Sequence, residues 1–303
     1  MIIDIHTHLG DILRPNGGGL IFRKGVQKQR VLDLITVAEW GMYNTNPVSE
    51  WLLTALCEGL VTKACHARNG TATLENCRRS MDENGVVKSA CMPIAPYVTF
   101  DDLRKAMESD PGVIPFTSVD FSANHDPEDL MKSDVSAGAR GLKLHPIIQK
   151  EPLTSRKTFS AVEAFAPHEL PVLFHSGVQS YYLGKDKEEK QKPEYGDVTH
   201  AVKLCKDFPQ VSFIVGHSGL FQYRETIDLF SGMKNVFVDT SFQPPKRIDE
   251  LIKAFGPERV LYASDWPWGD RKTNIACVAK ACRGDQSLEK LIYFENAAKL
   301  LKV

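Results

Sequence analysis

The sequence lacks the features that would mark a nucleic-acid-binding, membrane or secreted protein. Its 37 Lys and Arg residues are balanced by 38 Asp and Glu residues, so no basic excess exists to displace counterions from nucleic acid. No apolar run approaches the roughly 18 residues of a membrane span, and no basic and apolar leader follows Met1. We therefore expect a cytoplasmic protein whose partner is a small-molecule substrate, with neither nucleic acid nor a membrane as partner.

Cysteines at metal-binding or disulfide-forming spacing are also missing. The 7 cysteines are scattered along the chain, and none of them forms a C-x-x-C motif. The spacing of Cys277 and Cys282 suits one helix and not a zinc ribbon. We predict that the cysteines are buried and reduced, which agrees with a cytoplasmic location.

Short β-rich runs alternate with amphipathic helical segments along the chain. Such alternation indicates a parallel sheet, and eight repeats of it predict an α/β fold that closes into a (β/α)8 TIM barrel. The rival, an open doubly wound sheet, lacks its glycine-rich phosphate turn after the first strand. We treat residues 1–303 as one domain. The predicted strands cover residues 2–5, 86–94, 113–120, 141–146, 171–177, 211–219, 235–241 and 259–267.

One long segment interrupts this alternation. Residues 11–80 separate the first strand from the helix before the second, and they include two helical patterns, at 31–43 and 48–65. An insertion after a barrel strand emerges on the face that carries the active site. We therefore expect an inserted helical lid or cap, with a packing embellishment or a dimer contact as the alternative.

Polar side chains stand near the carboxyl ends of five predicted strands, which meet at one mouth in a TIM barrel. His6 and His8 end the first strand, and their i, i+2 spacing places both rings on one face. A single histidine there is usually a hydrogen-bonded core residue. Several together with an aspartate favour a divalent cation, and imidazole with carboxylate suits zinc, with iron, nickel or manganese as alternatives. The remaining candidates are Lys143, His145, His175, His217 and Asp265.

These motifs together resemble a known family. The chain is similar to the amidohydrolase superfamily, and most of all to its amidohydrolase-2 branch of TIM-barrel metal-dependent hydrolases and decarboxylases. The resemblance covers residues 1–9 and about 85–303, and leaves the 11–80 insertion unexplained. It rests on the motifs IDIHTH, LKLHP, FHSG, VGHSG and ASDWP, and on the closing FENAAKLL.

The resemblance implies that His6, His8, His175 and Asp265 hold the metal. His217 would face the substrate and stabilise the charge on an attacked oxygen. The cation would activate a water molecule, and Asp265 would take its proton and pass it to the leaving group. A helix N-cap role is the alternative for Asp265.

Lys143 leaves the number of metal ions open. Its place on the fourth strand resembles binuclear amidohydrolases, in which a carboxylated lysine bridges two metals and His217 would help to hold the second one. Against this, the amidohydrolase-2 branch is mostly mononuclear, so we expect one ion in preference to two. The alternatives are that Lys143 and His145 together bind a substrate carboxylate, or that Lys143 pairs with a core acid.

The function predicted is a metal-dependent hydrolase of a small, carboxylate-bearing amide, lactone or ester. The intact His6/His8 pair and Lys143 favour hydrolysis over the alternative, a non-oxidative decarboxylase; a metal-binding scaffold without turnover is a third reading. Trp266, and with less support Trp268, would form an apolar wall for the substrate. The family resemblance further implies a homo-oligomer, a dimer or tetramer. The substrate itself is not encoded in any motif.

Overall fold

Short, parallel and buried strands form the centre of the molecule. The structure, a computed structural model, describes residues 1–44, 58–124 and 126–303. Each of the eight predicted strands is present there, the third in two pieces. The strands are β1 (Ile2–Thr7), β2 (Val86–Cys91), β3 (Val113–Pro115 and Thr117–Ser118), β4 (Leu142–Leu144), β5 (Val172–Phe174), β6 (Phe213–Val215), β7 (Val236–Asp239) and β8 (Val260–Leu261).

Each strand pairs in parallel with the next one along the chain, from β1 to β8. Backbone hydrogen bonds then return from the last strand to the first: the amide of Ile5 donates to the carbonyl of Tyr262 at 3.1 Å, and the amide of Asp265 to that of His6 at 2.9 Å. This arrangement confirms the predicted TIM-barrel fold. It also places His6, in the first strand, beside Asp265, which follows the last strand.

Helices connect the strands and cover the barrel, and those predicted from amphipathic patterns are confirmed within the described residues. A π-helical turn at Leu291–Glu295 precedes the last helix. The α-helices are α1 (Leu34–Tyr43), α2 (Glu58–Asn69), α3 (Leu74–Glu83), α4 (Phe100–Ser109), α5 (Pro127–Ser136), α6 (Pro146–Gln149), α7 (Arg156–Phe165), α8 (Asp186–Glu189), α9 (Val202–Asp207), α10 (Tyr223–Phe230), α11 (Pro245–Phe255), α12 (Arg271–Cys282), α13 (Gln286–Lys290) and α14 (Asn296–Leu301).

Polar side chains determine where several helices begin. Thr99 and Asp102 form a reciprocal capping box at the start of α4. The Asp270 carboxylate caps α12 by accepting a hydrogen bond from the amide of Thr273 at 2.9 Å. Because Asp270 caps this helix, the N-cap role considered for Asp265 is excluded.

The core has two layers, as expected for a barrel. Ile3, Ile5, Phe116, Leu173 and Ile214 fill the barrel interior, and a larger apolar cluster packs between strands and helices. None of the helices in the described ranges is both long and apolar enough to cross a bilayer. The prediction of buried, unbridged cysteines is confirmed for six of them, while Cys57 lies outside the described residues.

The segment after β1 contains α1 and α2. Helix α1 confirms the first of the two predicted helical patterns, and α2 overlaps the end of the second, whose earlier part falls in residues 45–57, outside the described ranges. Helix α1 packs against α2 and against α12, which follows β8. The inserted helices therefore lie next to the loop that carries Asp265.

Candidate metal centre

Imidazole rings from three strand ends meet at the mouth of the barrel. The ring of His6 lies 4.7 Å from that of His217 and 5.4 Å from that of His8, measured between ring centroids. The ring of His175 lies 5.0 Å from that of His217. All four histidines and Asp265 are buried. The predicted ligands His6, His8 and Asp265 are thus neighbours, and His175 adjoins this group through His217.

The closest group of possible ligand atoms surrounds the Asp265 carboxylate. Its Oδ1 atom lies 3.4 Å from His8 Nε2 and 3.8 Å from His6 Nε2. Donor atoms of His6, His217 and Asp265 all lie within 4.8 Å of one another. Ligands at about 2.0–2.1 Å from a tetrahedral ion are separated by roughly 3.3 Å, so these distances fit a shared cation.

The Asp265 carboxylate also needs a partner. Its Oδ1 atom is fully buried and has no hydrogen-bond partner among the described residues. A buried carboxylate oxygen without a partner is strongly destabilising, because it has lost its hydration. A cation held between this oxygen and the neighbouring imidazoles would supply the missing interaction, so the side chains present fit a metal ion.

Hydrogen bonds made by Nδ1 orient the rings of His6 and His8. His8 Nδ1 donates to the carbonyl oxygen of Met92 at 2.9 Å, and His6 Nδ1 donates to Asp239 Oδ2 at 2.8 Å. A neutral imidazole that donates through Nδ1 keeps a lone pair on Nε2. Both Nε2 atoms facing Asp265 can therefore act as ligands, in the arrangement typical of metal-binding histidines.

Asp239, at the end of β7, is a site residue that the sequence analysis missed. Its Oδ1 atom accepts hydrogen bonds from the amide of His217 at 2.9 Å and from the hydroxyl of Ser241 at 2.6 Å. His217 Nδ1 lies 2.8 Å from the same hydroxyl oxygen. One carboxylate therefore orients both His6 and His217. A signal was available, because Asp239 is a polar residue at the carboxyl end of a predicted strand.

The hydrogen bonds of Ser241 also bear on the role of His217. Because the Ser241 hydroxyl donates to Asp239, its oxygen accepts the Nδ1 proton of His217, and His217 Nε2 keeps a lone pair. A neutral ring in this tautomer accepts a proton or binds a cation. The geometry thus favours a ligand or acceptor role over the predicted donation to an oxyanion.

Residues with strained backbone cluster at this mouth. Five non-glycine residues here have φ angles between 47° and 58°, in the left-handed region. Such conformations cost of order 1–3 kcal/mol each and persist where the surrounding structure enforces them, commonly at functional sites. The five residues are His217, Ser218, Leu220, Phe242 and Asp265.

A buried ion pair holds the loop that begins at Ser264. Asp4 accepts hydrogen bonds from the Ser264 amide at 3.0 Å, from its hydroxyl at 2.5 Å, and from Arg271 Nε at 3.0 Å. The Arg271 guanidinium also lies over the ring of Trp266, 5.1 Å from its centroid. This network links β1, α12 and the residue before Asp265, and so fixes the backbone from which Asp265 projects.

Burial determines the protonation of the site. Loss of hydration lowers the pKa of His6, His8 and His217 well below the usual range, and that of His175 to about 3. Neutral imidazoles are the form that binds metal. Burial likewise raises the pKa of the Asp265 carboxyl well above its ordinary value.

Lys143 and His145 each adjoin one of the predicted ligands. Lys143 Nζ is 2.8 Å from His6 Nε2, and burial lowers the pKa of the amine to about 7. The ring of His145 stacks on that of His175 at 4.3 Å, and its Nδ1 accepts a hydrogen bond from the amide of Ile148 at 3.4 Å. Both residues adjoin the predicted ligands, and their bridging or substrate-binding roles stay predictions.

A cavity of about 380 Å³ opens above Asp265. Its wall is mostly apolar, and Ile35, Val61 and Cys65 of the inserted helices contribute to it. Trp268 lines the cavity, whereas Trp266 packs against Arg271 and is not among its lining residues. Of the two tryptophans predicted to form an apolar wall, Trp268 therefore lines this cavity and Trp266 does not.

Two further residues near the site carried no recognisable sequence signal. The hydroxyl oxygen of Tyr181 lies 3.4 Å from both ring nitrogens of His175. Arg68, in α2, donates a hydrogen bond to the backbone carbonyl of Trp268. Both residues belong to loops or insertions whose positions depend on tertiary packing.

Known proteins with this architecture are similar over nearly the whole chain. An uncharacterized TIM-barrel protein from Bordetella bronchiseptica shares 16% identity at a TM-score of 0.66, with 99% of this chain and 98% of that chain covered. The 5-carboxyvanillate decarboxylase of Novosphingobium aromaticivorans, complexed with manganese, shares 16% identity at a TM-score of 0.62, with 99% of both chains covered. A probable 2-pyrone-4,6-dicarboxylic acid hydrolase from Acinetobacter baumannii shares 12% identity at a TM-score of 0.58, with 100% and 99% covered.

At these identities the structural likeness establishes the fold and not the reaction. No curated protein sequence matches the chain. The sequence does match the Amidohydrolase family over residues 3–303, which includes the 11–80 insertion. The resemblance inferred from the motifs is thereby confirmed, and the chain belongs to the amidohydrolase family.

Proposed function

We propose that the protein is a metal-dependent hydrolase of a small, carboxylate-bearing amide, lactone or ester. The observation that carries this proposal is the buried Asp265 Oδ1 atom, which lacks a partner among the described residues and faces the Nε2 atoms of His6 and His8. A carboxylate beside unprotonated imidazoles is the arrangement that binds a catalytic cation and accepts a proton from water.

The residues predicted to hold one ion are His6, His8, His175 and Asp265, and the geometry adds His217 as a ligand candidate. When bound, the ion supplies Lewis acidity that makes water reactive near neutral pH. Zinc suits these ligands, and manganese is the metal of the similar decarboxylase. A two-ion site bridged by a carboxylated Lys143 is the variant of this proposal.

The chain's own residues then supply proton transfer and orientation. Asp265 would take the proton of the attacking water and deliver it to the leaving group. Asp239 keeps His6 and His217 in the tautomer that the site needs. The mostly apolar wall of the cavity above Asp265 would lower the local dielectric constant, which strengthens electrostatic interactions near that wall.

Decarboxylation is the second candidate, and the apolar cavity favours it. An ionised carboxylate in such surroundings is destabilised relative to neutral carbon dioxide, because the charged group loses its hydration. The similar structure of a decarboxylase is compatible with this reaction on the same fold. The two candidates differ in the products that leave the enzyme.

A substrate panel distinguishes the candidates. The enzyme, loaded with zinc or manganese, is assayed on lactones, esters, amides and aromatic carboxylic acids, with proton release and carbon dioxide release measured in parallel. We expect proton release without carbon dioxide from a lactone or ester, or release of a free amine from an amide, whose carboxylate and ammonium products leave no net proton near neutral pH. Carbon dioxide from a carboxylic acid establishes the decarboxylase. Absence of proton, amine and carbon dioxide release, with metal bound, favours a non-catalytic scaffold.

Two further expectations remain proposals alongside this function. One is assembly into a homo-oligomer, a dimer or tetramer. The other is a cytoplasmic location. Sedimentation of the purified protein and cell fractionation test them separately from activity.

A further inference from the structure

Helix α2 of the insertion hydrogen-bonds to two loops of the barrel mouth. The indole Nε1 of Trp268 donates to the carbonyl oxygen of Cys65 at 3.0 Å, and the guanidinium of Arg68 donates to the carbonyl oxygen of Trp268. One helical turn thus holds Trp268 by both its side chain and its backbone. On the same turn, His66 Nε2 lies 2.7 Å from the carbonyl oxygen of Tyr181.

Arg68 is held in turn by two carboxylates of the insertion. Its Nε donates to Asp33 Oδ2 at 3.0 Å, and its terminal nitrogens donate to Glu39 at 3.1 and 3.2 Å. Glu39 Oε1 also accepts from the backbone amide of Asp270 at 2.5 Å. Arg68 is only 7% exposed, so these charges are compensated inside the protein. The arginine therefore joins α1, α2 and the loop after β8.

The two residues that α2 holds face the metal centre. The ring of Trp268 lies 5.2 Å from that of His8 and 5.8 Å from that of Tyr181. The Tyr181 hydroxyl in turn contacts His175. A displacement of α2 would consequently move an aromatic wall that stands directly against two predicted ligands.

We propose that Arg68 is a positioning residue that fixes Trp268 against the metal centre, so that α1 and α2 of the insertion contribute to substrate specificity. The hydrogen bonds of Arg68 are needed because apolar contacts alone do not fix the orientation of Trp268. The planar guanidinium of Arg68, with its five donors, fixes that orientation through directional hydrogen bonds. The specificity part rests on the proposed function, whereas the placement of Trp268 does not.

Arg78 in α3 provides a matched control. It makes the same kind of two-point ion pair, with Asp110, and its Nε lies 2.7 Å from Asp110 Oδ2. Neither Arg78 nor Asp110 lines the cavity above Asp265. Removal of this ion pair therefore tests what an arginine ion pair contributes to folding, without changing the contacts of Trp268.

The experiment measures Trp268 directly, without a substrate. Arg68→Met, Arg68→Lys and Arg78→Met are each made with and without Trp268→Phe, and the difference in fluorescence isolates the emission of Trp268. Acrylamide quenching, bound manganese and the far-ultraviolet circular dichroism are recorded for every variant. Arg68→Lys retains the charge and serves if Arg68→Met does not fold.

We expect Arg68→Met to shift Trp268 emission to the red and to increase its quenching, with manganese content unchanged. Arg68→Lys should show the same changes to a smaller extent, and Arg78→Met should show neither. Unchanged Trp268 emission in a folded Arg68 variant, or equal changes in Arg78→Met, overturns the positioning role.

Kinetics on a substrate found by the panel test the specificity part. Arg68→Met should raise KM by about 10-fold and change kcat less, since it displaces a wall and not the reacting groups. An equal fall of kcat for all substrates, with KM unchanged, overturns the specificity part. If no substrate is found, the proposed function fails while the fluorescence result still decides the positioning role.

Discussion

The barrel mouth and the inserted helices meet over one cavity but are built in different ways. The barrel side presents imidazoles and a carboxylate, held by buried acids such as Asp239 and Asp4. The inserted side presents apolar side chains of α1 and α2, held by the charged contacts of Arg68. The comparison indicates that the candidate ligands belong to the strand ends, whereas the insertion supplies one apolar side of the cavity.

Two buried arginines show the same division within a single loop. Arg271 reaches Ser264 through Asp4, at the end of the loop that carries Asp265. Arg68 reaches the other end of the loop, at Trp268. A short loop can thus hold the proposed catalytic carboxylate from the barrel side and an aromatic wall from the side of the insertion. Substitutions on the two sides should therefore have different kinetic signatures.

The largest effect is expected for Asp265→Asn. An amide at this position cannot take the proton from water, so kcat should fall by about 10³-fold for every substrate alike, within the range typical of a lost general base. The metal-free variant should also unfold at a higher temperature at pH 7. Burial raises the pKa of this carboxyl, so its ionised form destabilises the metal-free fold above the unfolded pKa.

Activity assays with saturating metal and thermal unfolding after chelation check both parts. Trp268→Phe is the control on the inserted side of the same loop, and it should not reproduce the loss of kcat. Near-normal turnover of Asp265→Asn would contradict the proposal that the barrel side of the cavity supplies the catalytic group.

A smaller effect is expected for Asp239→Asn. Loss of a carboxylate that orients ligand imidazoles typically lowers metal affinity by about 10–100-fold. Burial raises the pKa of Asp239 to about 6, so the carboxylate is present above that pH and is lost as the pH falls through it. Wild-type activity should therefore decline below about pH 6.

Manganese titrations and pH profiles of both proteins test this expectation. The variant should bind metal weakly at every pH and lack the acidic decline. An identical acidic decline in Asp239→Asn would assign that titration to another group. Normal metal affinity would show that the histidines do not depend on Asp239.

The smallest effect is expected for Val61→Phe in α2. Val61 lines the cavity, so a larger ring there should raise KM for the bulkier substrates by about 10-fold or less and leave kcat nearly unchanged. Leu60→Phe is the control, because Leu60 is 41% exposed and does not line the cavity. A uniform loss of kcat in Val61→Phe would contradict the assignment of specificity to the insertion.

Much of the barrel was predictable because its signals are local. Apolar runs that alternate with helical segments indicated eight strands. Polar residues at the carboxyl ends of these strands indicated His6, His217 and Asp265 as site residues. Asp239 stood in the same kind of position and was open to the same reasoning. Arg68 and Tyr181 were not, because nothing near them in sequence shows which loop they contact.

The sequence by itself determined the order of strands and helices and the chemical type of the candidate ligands. The β-rich runs, the amphipathic helical segments and the HxH spacing are local features, carried by residues close together in the sequence. Only the tertiary structure decided that His6, His8 and His217 are oriented through Nδ1, that Trp268 and not Trp266 lines the cavity, and that α2 contributes to its wall. Those features depend on contacts such as that of Cys65 with Trp268, between segments that only the closed barrel brings together.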